Sequence, residues 1–376
     1  MTTCEQDQHW MHRALDLARK GLGHVEPNPL VGCVLVKNQK LVASGWHQQF
    51  GGPHAEIHAL QEAGSRAAGC TLYVTLEPCS HQGKTPPCTT AIKQAGIQRV
   101  VIGQQDPFAE VNGRGIQQLE EAGLEIERGV LETECRHLNG PYLKRLATGK
   151  PWVVAKWAMS RDGKLAASDG SSRWISSPTS RELVHQIRGR MDAILVGRET
   201  ALLDNPQLTA RPPGARVPTR IVMTTLADLP NYLTLLQTAR ETPTLITCSP
   251  DAPTKNRKAL EAAGCQVFVT ESTDRCQMIN ELLCHLGQQQ MTNLLVEGGS
   301  QLLVSCFNAK AIDEVHIFVA NKHMGGTGAA NPLELSKEDP MDSERFLEQL
   351  QSRTVESDLY YWGQLDSSTG LPIDPS

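Results

Sequence analysis

The feature that most constrains the fold is an alternation of short apolar runs with segments of helical periodicity, arranged in two series with one interruption. In the first series Trp10, Ala14, Leu17 and Ala18 recur at helical spacing, and Gly21 and Gly23 mark the end of that segment. Val31 to Val36 and Leu41 to Trp46 flank the polar run Lys-Asn-Gln-Lys, which predicts a hairpin. A helix is expected over His54 to Ala63, stopped at Gly64, and a buried strand over Cys70 to Leu76. A helix from Pro87 to Ala95, a strand from Arg99 to Ile102 and a helix near Ile116 to Ala122 follow. Leu146-Ala-Thr-Gly-Lys-Pro151 comes after a long helical pattern and before a fresh strand, Trp152 to Ala158. The second series places strands at Ala193 to Val196, Thr219 to Met223, Thr244 to Thr247, Gln266 to Val269, Asn293 to Val296 and Glu314 to Val319. Both halves therefore read as layered α/β. At 376 residues the chain exceeds the ~250–300 at which single cores stop growing. The expected domains are 1–147 and 150–365, with 366–376, rich in Ser, Pro, Gly and Thr, as a loose tail.

Charge and cysteine usage narrow the class of function. The net charge is −5, and residues 1–146 hold 14 Lys/Arg against 15 Asp/Glu. A nucleic-acid binder normally carries a basic excess, because phosphate neutralisation supplies most of its affinity. A small-molecule substrate is therefore expected, with no nucleic-acid partner. Apolar runs are short and broken by charges, so no membrane span is expected. The start, MTTCEQDQHW, lacks the basic and then apolar pattern of a secretory signal, and the 11 cysteines are odd in number and scattered. Together these predict reduced thiols and a cytoplasmic location.

The strongest chemical signal is His54-Ala55-Glu56 at a helix start, followed by Pro78-Cys79 and by Cys88 near the start of another helix. One imidazole and two thiolates suit Zn²⁺ and leave a fourth tetrahedral position for water, the mark of a catalytic zinc. The metal brings the pKa of such a water towards neutrality. Glu56, two residues past His54, can enter the site without being a ligand and so suits a proton shuttle. A helix N-terminus favours thiolate at Cys88. Taken singly, His54 also fits a packed core histidine and Cys79 a buried apolar residue. A purely structural zinc would take a fourth ligand, for which Cys33, Cys70 and His81 are candidates.

The H-x-E…P-C pattern resembles the cytidine deaminase superfamily, with eight residues between the cysteines in place of two. The run Glu77-Pro-Cys-Ser-His-Gln-Gly-Lys-Thr-Pro-Pro-Cys88 resembles more closely the deaminase domain of the RibD family, the bifunctional enzymes of riboflavin biosynthesis. So do Pro27-Asn-Pro-Leu-Val-Gly32 and Gly45-Trp-His47. The resemblance implies an N-terminal cytidine-deaminase-like α/β/α domain with Asn28, His47, His81 and Lys84 as substrate contacts. His81 and Lys84 add donors or positive charge suited to a ribose phosphate, although both also fit a solvated loop. The Asn28 amide could read a pyrimidine edge, and it equally fits a plain turn.

In the second half, Leu294-Leu-Val-Glu-Gly-Gly-Ser300 sets two glycines between a strand and a helical run, where backbone N–H groups can meet phosphate. A tight turn fits the same residues, and Gly325-Gly-Thr-Gly328 carries the same ambiguity. Lys156-Trp-Ala-Met-Ser-Arg-Asp-Gly163, Ser172-Arg-Trp-Ile175, Ala193 to Thr200 and Asp204-Asn-Pro-Gln-Leu-Thr-Ala-Arg211 resemble the RibD reductase domain. That resemblance implies a dihydrofolate-reductase-like α/β fold using NADPH, with Ala158, Trp174, Thr200, Asp204, Gly299 and Ser300 at the cofactor. It places Ser172, Arg188, Leu208, Arg211 and Glu297 at the ribosyl phosphate and its reacting carbon. Asp204 and Glu297 suit proton delivery during hydride transfer, and Arg188 and Arg211 suit phosphate. Surface ion pairs for the arginines, a turn at Asp204 and a core position for Trp174 are the structural alternatives.

The implied activity is bifunctional. Zinc-dependent deamination of 2,5-diamino-6-(5-phosphoribosylamino)pyrimidin-4-one comes first, then NADPH-dependent reduction of the ribosyl group to ribityl, by a homo-oligomer. Two other classes fit parts of the pattern: a tRNA or nucleic-acid deaminase with an appended binding domain, and a non-catalytic module built around structural zinc.

Overall fold

The computed structural model describes residues 2–81, 86–166, 175–324, 329–333, 343–366 and 369–373. It divides into two compact units, Met1–Thr148 and Gly149–Ser376. Among the described residues no helix is long and apolar enough to cross a membrane.

Unit one opens with α1 (Thr3–Ala18), started by a capping box. The Thr2 hydroxyl accepts from Glu5 N–H at 3.3 Å, and the Glu5 carboxylate accepts from Thr2 N–H at 2.8 Å. Met11, Ala14, Leu15 and Ala18 form its buried face, while Leu17 is only partly covered. Strands β1 (Gly32–Lys37) and β2 (Lys40–Trp46) are joined through Asn38 and Gln39, both at positive φ (51° and 59°). That is the turn geometry whose twist matches a tight hairpin. Next come α2 (Ala55–Ala63), β3 (Thr71–Leu76), α3 (Cys88–Gln94), β4 (Arg99–Gln104), α4 (Arg114–Glu121), β5 (Glu125–Arg128), α5 (Glu132–Leu138) and α6 (Gly140–Thr148). The sheet runs β2-β1-β3-β4-β5, antiparallel on both sides of β1 and parallel from β3 to β5.

Side-chain alternation gives this sheet two apolar faces. Cys33, Leu35, Leu72, Val74, Val100 and Ile102 pack against α2, α3 and α4 through residues such as Ala59, Ile92 and Leu119. Val34, Tyr73 and Val101 pack against α1 and α5 through Met11, Leu15 and Cys135. A fully buried Leu or Ile in either layer is worth roughly 1.5–3 kcal/mol. The result is a three-layer α/β/α unit in which the C-terminal end of β3 and the starts of α2 and α3 are left to carry chemistry.

Unit two contains β6 (Trp152–Ser160), β7 (Lys164–Ala166), α7 (Pro178–Arg188), β8 (Ala193–Gly197), α8 (Arg198–Asp204), β9 (Thr219–Thr224) and α9 (Thr234–Gln237). These are followed by β10 (Thr244–Cys248), α10 (Thr254–Ala263), β11 (Gln266–Val269), α11 (Arg275–Gln288), β12 (Asn293–Glu297), α12 (Ser300–Asn308) and β13 (Glu314–Ala320). Strand β14 (Ala329–Ala330), α13 (Ser343–Glu348), β15 (Gln351–Val355) and β16 (Asp358–Gln364) complete it. The nine-stranded sheet has the order β11-β10-β9-β8-β12-β6-β13-β16-β15. It is parallel from β11 to β13, while β16 and β15 add antiparallel at one end.

The chain passes from β6 to β8 and on outward to β11, then returns to lay β12 between β8 and β6. The C-terminal ends of β8, β12 and β6 therefore meet where the strand order reverses, the usual place for a ligand crevice in an open α/β sheet. Two features differ from expectation. The β15–β16 hairpin carries little apolar alternation, four of the five β15 residues being exposed, so periodicity gives no strand signal there. The tail is not loose at its start. Leu365 bridges to Pro372, and the turn is closed by Gly370 N–H to the Asp366 carbonyl at 2.7 Å and Thr369 N–H to the Asp366 carboxylate at 2.9 Å.

Candidate active sites

In unit one, three elements bring His54, Cys79 and Cys88 together. His54 is the N-cap of α2, Cys79 follows β3, and Cys88 is the first residue of α3 behind Pro87. Their ligand atoms all lie within 4.8 Å of one another. The His54 Nδ1 is 3.5 Å from the Cys79 sulfur and 3.3 Å from that of Cys88. A tetrahedral zinc with metal–nitrogen and metal–sulfur bonds of about 2.0 and 2.3 Å sets such atoms roughly 3.5 Å apart. The donor set, one imidazole and two thiols at that spacing, fits zinc. The Cys79 thiol is held far below its ordinary range, chiefly by a hydrogen bond from the Cys88 thiol, and Cys88 is correspondingly raised. Glu56, in the first turn of α2, is buried, which pushes its carboxyl up against the opposing charge of His54.

The surrounding residues hold fixed donor and acceptor roles. His47 is buried, which lowers its pKa, so the ring is neutral. Its Nδ1–H donates to the Pro53 carbonyl at 3.0 Å, so Nε2 accepts from the Asn28 amide at 3.2 Å. The Asn28 oxygen and second N–H stay available to a heterocycle. The His47 and His54 rings meet edge to face with centroids 5.6 Å apart. His81 lies beside Phe108 (centroids 6.2 Å) and 3.9 Å from the Glu110 carboxylate. Lys84 lies outside the described residues.

Glu77, absent from the expected site residues, anchors this region. Its buried carboxylate accepts from the backbone N–H of Asp106 (3.2 Å), Gly113 (2.9 Å), Gly115 (2.9 Å) and Ile116 (3.3 Å). It thereby ties the strand end bearing Cys79 to the start of α4 and to the loop beside His81. A charged residue directly after the apolar strand β3 is the signal that could have revealed it. The approach is close enough to require glycine, because a Cβ on Gly115 would sit 2.1 Å from the Pro78 carbonyl oxygen. Gly115→Ala is expected to cost about 1–3 kcal/mol and to lower zinc content. Metal analysis alongside thermal unfolding checks this, and wild-type values in both would refute the coupling of the two loops.

In unit two, Glu297 ends β12 and is gripped by Arg188 from α7. The Arg188 Nε and Nη2 donate to its two carboxylate oxygens at 2.6 and 2.7 Å, and Nη1 donates to the Thr209 carbonyl at 3.3 Å. Burial alone would raise the Glu297 pKa. The charge and hydrogen bonds of Arg188, with Lys156 and His185 adding, turn the net shift downward, so the group is an anion. Lys156 on β6 is the register partner of Glu297, and its pKa is lowered by burial, with Glu297 opposing. The sequence suggests a phosphate for Arg188, but its fork is already occupied by a carboxylate. Arg211 is exposed, its Nη1 donating to Gln207 (2.7 Å) and Thr209 (2.8 Å), while its backbone N–H donates to His185 Nδ1 at 3.3 Å.

The other expected residues spread along the same strand ends. Ala158 lies two positions past Lys156 on β6, and buried Leu208 sits at positive φ (51°). The Gly299 N–H donates to the Thr200 hydroxyl at 3.1 Å, joining the starts of α8 and α12. Gly299 caps α12 without a side chain, and Ser300 is its first residue, so the helix presents unfilled N–H donors at the strand switch. Asp204 is exposed as the last residue of α8, in contrast to the largely covered Glu297. Ser172, Trp174 and the Gly325–Gly328 loop lie outside the described residues. Lys156 and His185 join this group although neither is among the residues expected there. A lysine within the apolar strand Trp152–Ser160 is the sequence signal for the first; nothing in local pattern marks the second.

These two sites match known families along the length of the chain. Residues 4–104 match the cytidine and deoxycytidylate deaminase zinc-binding region, and residues 151–361 match the RibD C-terminal domain. The riboflavin biosynthesis protein RibD of Actinobacillus pleuropneumoniae is 42% identical over 327 residues, covering 87% of each chain. The solved structure of Acinetobacter baumannii RibD superposes with a TM-score of 0.78 at 32% identity, covering 98% of this chain and 99% of that one. The Thermotoga maritima diaminohydroxyphosphoribosylaminopyrimidine deaminase/5-amino-6-(5-phosphoribosylamino)uracil reductase gives 0.80 at 32%, covering 96% and 98%. Agreement in sequence and in backbone over both units leaves one conclusion: this chain belongs to the RibD family.

Proposed function

We propose that the chain catalyses two consecutive steps of riboflavin biosynthesis. Unit one removes the amino group at C2 of 2,5-diamino-6-(5-phosphoribosylamino)pyrimidin-4-one. Unit two reduces the ribosyl group of the product to ribityl with NADPH. The observation that carries the reading is the convergence of His54, Cys79 and Cys88 to zinc-ligand distances beside a buried Glu56.

Zinc held by these three residues supplies the Lewis acidity that makes water a nucleophile near neutral pH. Glu56 would pass one proton of water to the ring nitrogen beside C2, then take the second from the new C2 hydroxyl and hand it to the amine, which leaves as ammonia while the C2 carbonyl forms. Neutral His47 holds the Asn28 amide so that its oxygen and remaining N–H face the pyrimidine edge. His81, with Lys84, meets the ribose phosphate.

In unit two NADPH supplies the hydride, and the residues present bind and orient. The unfilled N–H donors at the start of α12 suit its pyrophosphate. Glu297, ionised between Arg188 and Lys156, accepts a hydrogen bond from the opened sugar and can take or return a proton at its oxygen or nitrogen. With Arg188 committed to Glu297, Arg211 carries the phosphate charge. Asp204 is the more exposed acid and serves the cofactor side.

A reducing cytosol suits the eleven cysteines, which form no disulfide. The exposed β15 edge gives a homo-oligomer a surface for self-pairing.

Separate assays of the two half-reactions, with zinc analysis, test the proposal. Cys88→Ser is expected to lower zinc occupancy and deamination together and to spare the reductase. A variant that keeps full deamination without zinc would defeat the reading.

A further inference from the structure

The end of α7 grips the loop that carries Arg211 at three points, and one of them is an imidazole to which the proposed chemistry gives no task. His185 and Arg188 are three residues apart in the last turn, so both project from one face of the helix. The Arg188 Nη1 donates to the Thr209 carbonyl at 3.3 Å. Two residues further along the loop, the Arg211 N–H donates to His185 Nδ1, also at 3.3 Å. The third point is backbone on backbone. Arg216 N–H donates to the Gly189 carbonyl at 2.9 Å, and a Cβ on Gly189 would lie only 2.8 Å from the Gly214 Cα. The loop is thus pinned on both sides of Arg211, and Arg211 itself is pinned through His185.

The two arginines have different commitments. Glu297 fills the Arg188 fork, which leaves the phosphate to Arg211. The Arg211 Nη1 is bound within the loop, to Gln207 and Thr209, so its Nε and Nη2 are the groups open to a ligand. Where they point depends on the backbone of a residue that lies in neither helix nor strand. The bond at His185 also defines the protonation of the ring. A backbone N–H can only donate, so Nδ1 is the bare acceptor and the ring proton sits on Nε2. Burial lowers the His185 pKa, and Arg188 and Arg211 lower it further, against the Thr209 carbonyl and Glu297. Charged groups thus reach the ring from α7, from the loop and from β12. At neutral pH the ring is the acceptor the loop needs. As pH falls through the lowered pKa, Nδ1 takes a proton and can no longer accept the Arg211 N–H.

We infer that His185 is a positioning residue of the ribosyl-phosphate pocket: its neutral imidazole fixes the Arg211 backbone so that the guanidinium faces the phosphate, and a proton on Nδ1 releases it. The inference rests on the reductase reading of unit two. His185 acts through Arg211, at the phosphate end of the substrate and away from the sugar carbon that is reduced. Its contribution is therefore equal in the ground state and the transition state, and it is read in KM rather than in kcat.

Steady-state reduction of the deaminated ribotide by the full chain, at saturating NADPH, tests the inference across a pH range that brackets the ordinary histidine value of about 6.5. His185→Phe keeps a ring but no acceptor. It is expected to raise the substrate KM about threefold to tenfold with kcat little changed. His185→Gln offers a carbonyl oxygen in place of Nδ1 and does not titrate, so it should recover most of that loss above neutral pH. The ratio of wild-type to His185→Gln kcat/KM should then fall about threefold or more towards acid. Titration of the phosphate itself is common to both proteins and cancels in that ratio. A ratio that stays flat with pH, or a His185→Phe protein with the wild-type KM, would overturn the inference and leave the reductase reading standing. A ratio that rises in acid would also overturn it, because the imidazolium would then be a phosphate ligand in its own right. Should His185→Phe fail to fold, seen as loss of NADPH binding by nicotinamide fluorescence, the His185→Gln profile still decides. Absence of reduction by the wild type at every pH would overturn both readings.

Discussion

Replacing Glu56 with Gln is expected to slow deamination by about 10²–10⁴-fold while zinc content and the reductase half-reaction stay at wild-type levels. Gln keeps the shape of a side chain only 3% exposed, so packing in the first turn of α2 is preserved. What disappears is the group that can accept a proton from water and return it to nitrogen. His54, Cys79 and Cys88 supply the zinc donors without Glu56, which is why metal retention is part of the prediction. Loss of zinc in the variant would make Glu56 a ligand or a structural prop. Undiminished turnover would remove it from the chemistry altogether.

The second large effect is expected at Arg188. Arg188→Met removes both hydrogen bonds to Glu297 and leaves a largely covered carboxylate without its guanidinium partner, a change that typically costs about 3–5 kcal/mol. The side chains of the pair are 14% and 12% exposed, so solvent offers little compensation. Denaturant unfolding should show unit two giving way earlier, with reductase turnover lost. Arg188→Met combined with Glu297→Gln removes the stranded charge. It should recover most of the stability and none of the turnover, a pattern that separates a catalytic carboxylate from a merely structural ion pair. The sign with pH follows from the depressed Glu297 pKa. The pair stabilises fully above the unfolded carboxyl value of about 4.3, and loses this as pH falls through the lower folded value. The stability gap between wild type and Arg188→Met should therefore narrow in acid. A gap that widens there would contradict the assigned charge state.

Much of the strand framework is legible in the sequence because its signals are local. Each of the six strands expected after Trp152–Ala158 has a counterpart in the unit-two sheet, since a buried parallel strand reads as a short apolar run bounded by turns. The sequence sets its boundary in the stretch Leu146–Pro151, and the structure divides into compact units after Thr148. The β15–β16 hairpin escapes a periodicity argument because an exposed edge strand carries no apolar alternation. The hydrogen bonds of Asp366 with Thr369 and Gly370 lie in a segment that reads as tail because its composition is that of both turns and disorder.

The zinc residues stand out from the start because metal ligation restricts residue type severely. Imidazole, thiolate and a nearby carboxylate at that spacing match the donor needs of zinc and little else. The sequence by itself thus determined the donor set, the layered α/β class and the order of elements. Only the tertiary structure decided how those donors and charges are shared. Glu77 becomes an anchor when four N–H groups from 106–116 converge on it. Arg188 becomes the partner of Glu297 when a helix end and a strand end 109 residues apart come together. The physical reason is common to both. Residue type sets what a charged group can do, but its protonation and free hydrogen-bonding capacity depend on neighbours distant in the chain, and those neighbours are chosen by packing.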